Sequence, residues 1–137
     1  MILRDAAPGD ASAVIALWEA AGLTRPWNDP TQDFERALAA ADSAILILAR
    51  DDALVASVMV GYDGHRGWVY YLAVAPAHRR EGHGRALMDA AQAWLHAHGA
   101  PKIQLMVRED NEEALGFYEA LGLERQKVVT FGRFLKE

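Results

Sequence analysis

The residues most able to do chemistry lie close together in Ala77–Met88, which reads AHRREGHGRALM. Gly82 and Gly84 let a backbone approach a ligand closely, and Arg79, Arg80 and Arg85 add cationic donors around them. The stretch precedes a helix-like run, and the first amides of a helix point outward unpaired at its partially positive end. Arginines, glycines and helix amides together suit an anion, a phosphate above all. A Gly-x-Gly before a helix also serves plain turn geometry. A Walker loop needs Lys-Ser/Thr after its last glycine, whereas Arg85-Ala86 follows Gly84 here. A dinucleotide fingerprint needs a third glycine and an early strand-helix-strand unit, and neither is present.

The elements that must position this loop are legible from pattern. MILRDA begins as a short strand and PGD opens a helix, with Asp10 as the expected cap. Val14, Leu17, Trp18 and Ala21 share one face, and Gly22 stops that helix. Asp29-Pro30 opens a second helix, with Phe34, Leu38 and Ala41 on one face. SAILILAR (43–50) and ALVASVMVGY (53–62) read as strands, and the Asp63-Gly64 turn leads into a third, GWVYYLAVAP (67–76). Leu87, Ala91, Trp94 and His98 mark a helix closed by Gly99 and Pro101. KIQLMV (102–107) reads as a strand, and 109–122 as a helix capped by Asp110 or Asn111. QKVVTFGRFL (126–135) reads as one or two final strands. The order β-α-α-β-β-β-α-β-α-β predicts an α/β (α+β) fold, with a mostly antiparallel sheet flanked by about four helices. Its one parallel pair is the two strands joined by the 85–98 helix.

The chain has 137 residues, of which 52% are hydrophobic, enough for a single domain over 1–137 with one core. It has no cysteine, which excludes disulfides, thiolate metal sites and cysteine nucleophiles. A net charge of −5 argues against nucleic acid as a partner. No apolar run approaches the roughly 18–20 residues of a membrane span, and the N-terminus does not read as a signal peptide. A cytoplasmic location is the expectation. His96 and His98 lack the i, i+4 spacing of a helical metal pair, so no metal is expected.

Arg79-x-x-Gly82-x-Gly84 resembles the Gln/Arg-x-x-Gly-x-Gly/Ala signature of the GCN5-related N-acetyltransferases, the GNAT family. Asn111-x-x-Ala114-x-x-Phe117-Tyr118-Glu119-x-x-Gly122-Leu123 resembles the second motif of the same family, and the element order matches over nearly the whole chain. RPWNDP, GYDGHRG, PKIQ and EDN resemble its YpeA-like bacterial branch. The resemblance implies acetyl-CoA as co-substrate and direct transfer of its acetyl group to a primary amine. It places the pyrophosphate on the loop of Arg79, Arg80, Gly82, His83, Gly84 and Arg85. A backbone N–H of Leu72, Ala73 or Val74 would face the thioester oxygen, and Asn111 would lie by the pantetheine arm, cap its helix, or both.

Transfer needs an acid for the departing thiolate and a base for the amine. The resemblance assigns the acid to Tyr118, although Ala114, Tyr118 and Leu121 also share a face that would pack as core. WVYYLAV carries no carboxylate where many relatives have a glutamate. Glu109 is then the best acidic candidate for the base, with Asp63, His65, Tyr70, Tyr71 and an ordered water beside it. Relatives take the acceptor near TRPWNDP and the GYDGHRG hairpin, so Arg25, Trp27, Asn28, Asp29, Asp63 and Tyr70 are the candidate substrate residues. Arginine suits a substrate carboxylate and aspartate its amine, which favours a small amino-acid-like acceptor. One alternative is acetylation of a protein N-terminus, as in the ribosomal-protein alanine acetyltransferases. Another is a non-catalytic acyl-CoA-binding module. The C-terminal VVTFGRFL could pair with a second copy in a homodimer.

Overall fold

A computed structural model describes residues 1–135. Two compact units make up the chain, Met1–Leu105 and the residues from Met106 onward.

In the first unit, strand β1 (Ile2–Asp5) leads through a 3-10 turn at Pro8–Asp10 into α1 (Ala11–Ala20). Asp10 does not cap α1 with its side chain. Its carboxylate turns back to accept the Ala7 N–H at 2.7 Å and pairs with Arg4 at 2.8 Å, closing the turn instead. Helix α2 (Pro30–Ala39) starts where the local chemistry requires. Asp29 Oδ1 accepts from Thr31 N–H at 2.9 Å, and proline occupies the first turn, where no N–H is needed. Phe34 and Ala37 are buried on its inner face, while Ala41 falls beyond the helix end.

Strands β2 (Ser43–Arg50), β3 (Ala53–Tyr62) and β4 (Gly67–Val74) form an antiparallel meander, with β1 antiparallel on the outer edge of β2. Helix α3 (His83–Ala97) then carries the chain back to β5 (Ile103–Gln104), which pairs parallel with β4. The sheet order is β1-β2-β3-β4-β5. Val14, Leu17 and Trp18 of α1 and Phe34 and Ala37 of α2 pack on Ile45, Ile47 and Ala73. Each fully buried aliphatic or phenyl side chain of this kind contributes about 1.5–3 kcal/mol. Leu87, Met88, Ala91 and Leu95 are the buried face of α3. Trp94 and His98 instead stack on each other, with ring centroids 3.6 Å apart. Gly67 is where α3 meets β4 closely, since a Cβ there would lie 2.6 Å from the Leu95 methyl groups.

In the second unit, α4 (Glu112–Ala120) is capped by Asn111, whose Oδ1 accepts the Ala114 N–H at 3.1 Å. The strands expected over 126–135 are not formed; the described residues there carry no ladder, and Val128, Val129, Phe131, Phe134 and Leu135 are exposed. β-forming composition measures fit to a pleated, half-buried surface and does not by itself supply a neighbour to pair with. Strand β5 is likewise shorter than the expected 102–107.

Candidate active site

After β4 the chain makes a 3-10 turn at Pro76–His78. Arg80 (φ 63°) and Gly82 (φ 85°) then both adopt left-handed conformations before α3 begins. Left-handed residues among right-handed ones turn successive N–H groups toward one side of the chain, a concavity that suits anions. The first rung recorded from Gly82 into α3 runs from Ala86 N–H to Gly82 C=O at 3.1 Å. The amides of His83, Gly84 and Arg85 precede that rung and have no intrahelical acceptor. A Cβ built at Gly82 would meet no atom within 4 Å, so the glycine is required by backbone conformation and its outer side is open. Arg79, Arg80 and Arg85 are exposed around the loop. Its one carboxylate, Glu81, stands 3.1 Å from both His78 Nδ1 and His83 Nε2 and is held below its usual range by those two partners. His83 is buried at the first turn of α3.

Strand β4 is irregular at the point where it approaches the loop. The register passes from Met59↔Tyr70 to Ser57↔Ala73, so Tyr71 and Leu72 together oppose Val58. Tyr71 has φ 55°, as the bulge requires. On the other edge of β4 the ladder to β5 covers only Gly67 and Trp68. Leu72, Ala73 and Val74 therefore run beyond the segment of β4 that β5 pairs.

The bulge also directs the Tyr71 side chain. Its ring stacks on Trp18, with centroids 3.9 Å apart and planes 9° from parallel. Its hydroxyl donates to Asp33 Oδ2 at 2.6 Å. Burial, and then Asp33, push the Tyr71 phenol well above its usual range. Asp33 lines two adjoining grooves that also share Met59 and Tyr70. One, of about 570 Å³, carries Asp42, Asp63, Trp68 and Arg36. The other, of about 550 Å³, carries Leu23, Arg25, Asn28 and Tyr71.

The expected substrate residues divide accordingly. Asp63 and Tyr70 line the first groove, and Arg25, Asn28 and Tyr70 the second. Arg25 is tied to its own loop through Nη1, which donates to the Gly22 and Thr24 carbonyls at 2.8 Å. Asp63 Oδ1 accepts the His65 and Arg66 N–H groups, and Oδ2 accepts Trp68 Nε1–H at 3.0 Å. These donors, the Arg66 N–H foremost, lower its pKa. Asp63 is thus an organised anion and a weak proton acceptor. Asp29 is engaged as the α2 cap, and Trp27 is exposed in the preceding loop. In the second unit Tyr118 is half-buried beside Phe117, with ring centroids 5.0 Å apart, and burial raises its pKa. Glu109 is exposed in the turn before α4, past the end of β5.

The model of the acetyltransferase (GNAT) family matches residues 14–123. The chain belongs to the GNAT family of acetyltransferases. An acetyltransferase of Pectobacterium atrosepticum is 48% identical over 93% of this chain and 91% of its own length. An acetyltransferase of Yersinia enterocolitica is 44% identical over 98% of this chain and 96% of its own. The fold matches the aminoglycoside N-acetyltransferase AAC(6')-Iy in complex with CoA, with TM-score 0.84, 19% identity, and 98% and 95% of the two chains covered. The same enzyme with a CoA–acetylneamine bisubstrate analogue matches with TM-score 0.83 and 20% identity over 97% of each chain.

Asp33, which lines both grooves, is not singled out by the sequence. It sits on α2 beside buried Phe34, and by pattern alone it reads as a solvated helix residue. Only the Tyr71 bulge, 38 residues on, shows which way its carboxylate is held. Asp29 one turn earlier signals the helix start and gives no hint of Asp33's partner.

Proposed function

We propose that the chain transfers the acetyl group of acetyl-CoA directly to a primary amine, and that the acceptor is a small cationic, amino-acid-like amine. The observation that carries the first half is the loop at the start of α3. Left-handed Arg80 and Gly82, open space at Gly82, amides preceding the first helical rung and three arginines form a cradle for a pyrophosphate. Acetyl-CoA supplies the activated thioester. The Arg79–Arg85 loop holds its pyrophosphate, and a backbone N–H of Leu72, Ala73 or Val74 stabilises negative charge developing on the thioester oxygen. As the amine nitrogen bonds to the acetyl carbon, the carbon–sulfur bond breaks, the nitrogen loses a proton and the sulfur gains one. Tyr118 is assigned the proton to sulfur on its place in the second family motif. Asn111 caps α4, which keeps that motif in register.

The second half rests on the grooves. Asp33, Asp42 and Asp63 outnumber the one cation, Arg36, in the lining of the first groove, which also carries Met59, Trp68 and Tyr70. Carboxylates flanked by aromatic rings suit an ammonium. Arg25 in the adjoining groove suits a carboxylate on the same small molecule. Asp33, braced by the Tyr71 hydroxyl, is the anion that meets the amine. A thiol-release assay over amino acids, diamines, amino sugars and N-terminal peptides tests the assignment. Turnover with small cationic amines supports it; turnover with peptides alone overturns the small-molecule acceptor.

A further inference from the structure

We propose that His78, Glu81 and His83 form a binding site for one divalent metal ion of the zinc class. The backbone brings these residues together. The 3-10 turn Pro76–His78 presents the first imidazole, and left-handed Arg80 turns the chain back so that Glu81 faces it. Left-handed Gly82 turns it again, so that His83 enters the first turn of α3 with its ring against the same carboxylate. His78 Nδ1 and His83 Nε2 each lie 3.1 Å from one oxygen, Glu81 Oε1, and the three ligand atoms all fall within 4.8 Å of one another. Ligands about 2.0–2.1 Å from a tetrahedral zinc are separated by roughly 3.3 Å, so the two nitrogen–oxygen spacings already match and the imidazole nitrogens close to about that distance around the ion. The rings cross edge-to-face with centroids 6.2 Å apart.

The donor set narrows the ion. Two imidazoles and a carboxylate, with no thiolate in the chain, suit Zn²⁺ and its neighbours Co²⁺ and Ni²⁺, whereas Mg²⁺ and Ca²⁺ call for oxygen ligands. Three protein ligands leave a coordination position open, as in zinc sites that also hold water or a substrate oxygen. His83 is buried and contributes a pre-oriented ligand, while Glu81 and half-buried His78 keep the site open to solution. Glu81 and His83 belong to the same loop that is assigned the pyrophosphate, so the metal is titrated without CoA and the outcome is read independently of acetyl transfer.

The test uses the full chain, stripped with a chelator and free of CoA. Zn²⁺ is titrated in competition with a chromophoric chelator, and Co²⁺ is followed by the visible absorption of tetrahedral cobalt. One equivalent of each should bind. His78→Ala, His83→Ala and Glu81→Gln should each weaken Zn²⁺ affinity at least tenfold. Glu81→Gln retains the size and a hydrogen-bonding oxygen, so its fold should match the parent by circular dichroism. The double variant His96→Ala/His98→Ala should bind as the parent does. Absence of stoichiometric binding overturns the proposal, as does loss of binding in the His96/His98 variant with retention in Glu81→Gln.

Discussion

Replacing Gly82 by valine separates the loop's binding role from its contribution to the fold. Gly82 has φ +85° and open space where a Cβ would stand, so the main cost of a side chain there is backbone strain of about 1–2 kcal/mol. Gly99, at the far end of α3, has φ +84° and the same open surroundings. Gly99→Val therefore carries nearly the same strain and serves as a matched control. The two variants should lose similar stability in urea melts. They should differ in binding. A loop that escapes the left-handed conformation at Gly82 re-aims its amides, and each hydrogen bond from an amide to a charged phosphate is worth about 1.5–3 kcal/mol. Losing two of them costs about 3–6 kcal/mol, a roughly 10²- to 10⁴-fold weaker Kd for CoA. Calorimetry with CoA and with S-acetylpantetheine, which lacks the pyrophosphate, provides the assay. Gly82→Val should lose affinity for CoA and keep its affinity for the short thioester, while Gly99→Val should keep both. Equal CoA affinity in the two variants would refute the pyrophosphate cradle.

Other perturbations follow from the same geometry. Tyr118→Phe should lower kcat by about 10²-fold or more, in the usual range for a positioned proton donor, with little change in the acetyl-CoA Kd; a normal kcat would return this side chain to a packing role. Tyr71→Phe strips Asp33 of its 2.6 Å donor and should raise KM for the amine more than KM for acetyl-CoA, read from steady-state kinetics with each substrate varied. Gly67→Ala pushes a methyl to 2.6 Å from Leu95 and should cost about 1–3 kcal/mol in urea unfolding, unless α3 shifts. Hydrogen bonds from Arg4 and then from Ala7 N–H pull the Asp10 pKa down to about 2. A pKa depressed on folding stabilises above the unfolded value and loses that contribution as pH falls through the folded one. Asp10→Asn should therefore cost at most about 1 kcal/mol near neutrality, given its partly exposed Arg4 partner, and the difference should vanish by about pH 2 in urea melts across pH.

What could be read before folding was what is local. Asp29-Pro30 marks the start of α2 because cap and proline act within one turn. The apolar runs 43–50 and 53–62 coincide with β2 and β3 because buried strands leave few other readings for such runs. The parallel pairing of β4 and β5 around α3 followed from the handed strand-helix-strand unit. The glycine loop and Tyr118 were legible as motifs. Features that depend on register were not. No periodicity reveals that Tyr71 would bulge to φ 55°, stack on Trp18 and claim Asp33. The His78–Glu81–His83 cluster needs two left-handed residues in between, and one of them is an arginine. Over 126–135 the residues are strong strand formers, yet pairing depends on an available edge, which composition does not report.

Incubating the purified chain with acetyl-CoA and a panel of primary amines, then reading each amine by mass spectrometry and free CoA by a thiol reagent, tests the central claim most directly. The account predicts that at least one small cationic amine gains a single acetyl group in step with CoA release, and that Asp33→Asn suppresses this without loosening acetyl-CoA. Tight acetyl-CoA binding with no acetylated amine across the panel would contradict it and leave an acyl-CoA-binding module in its place.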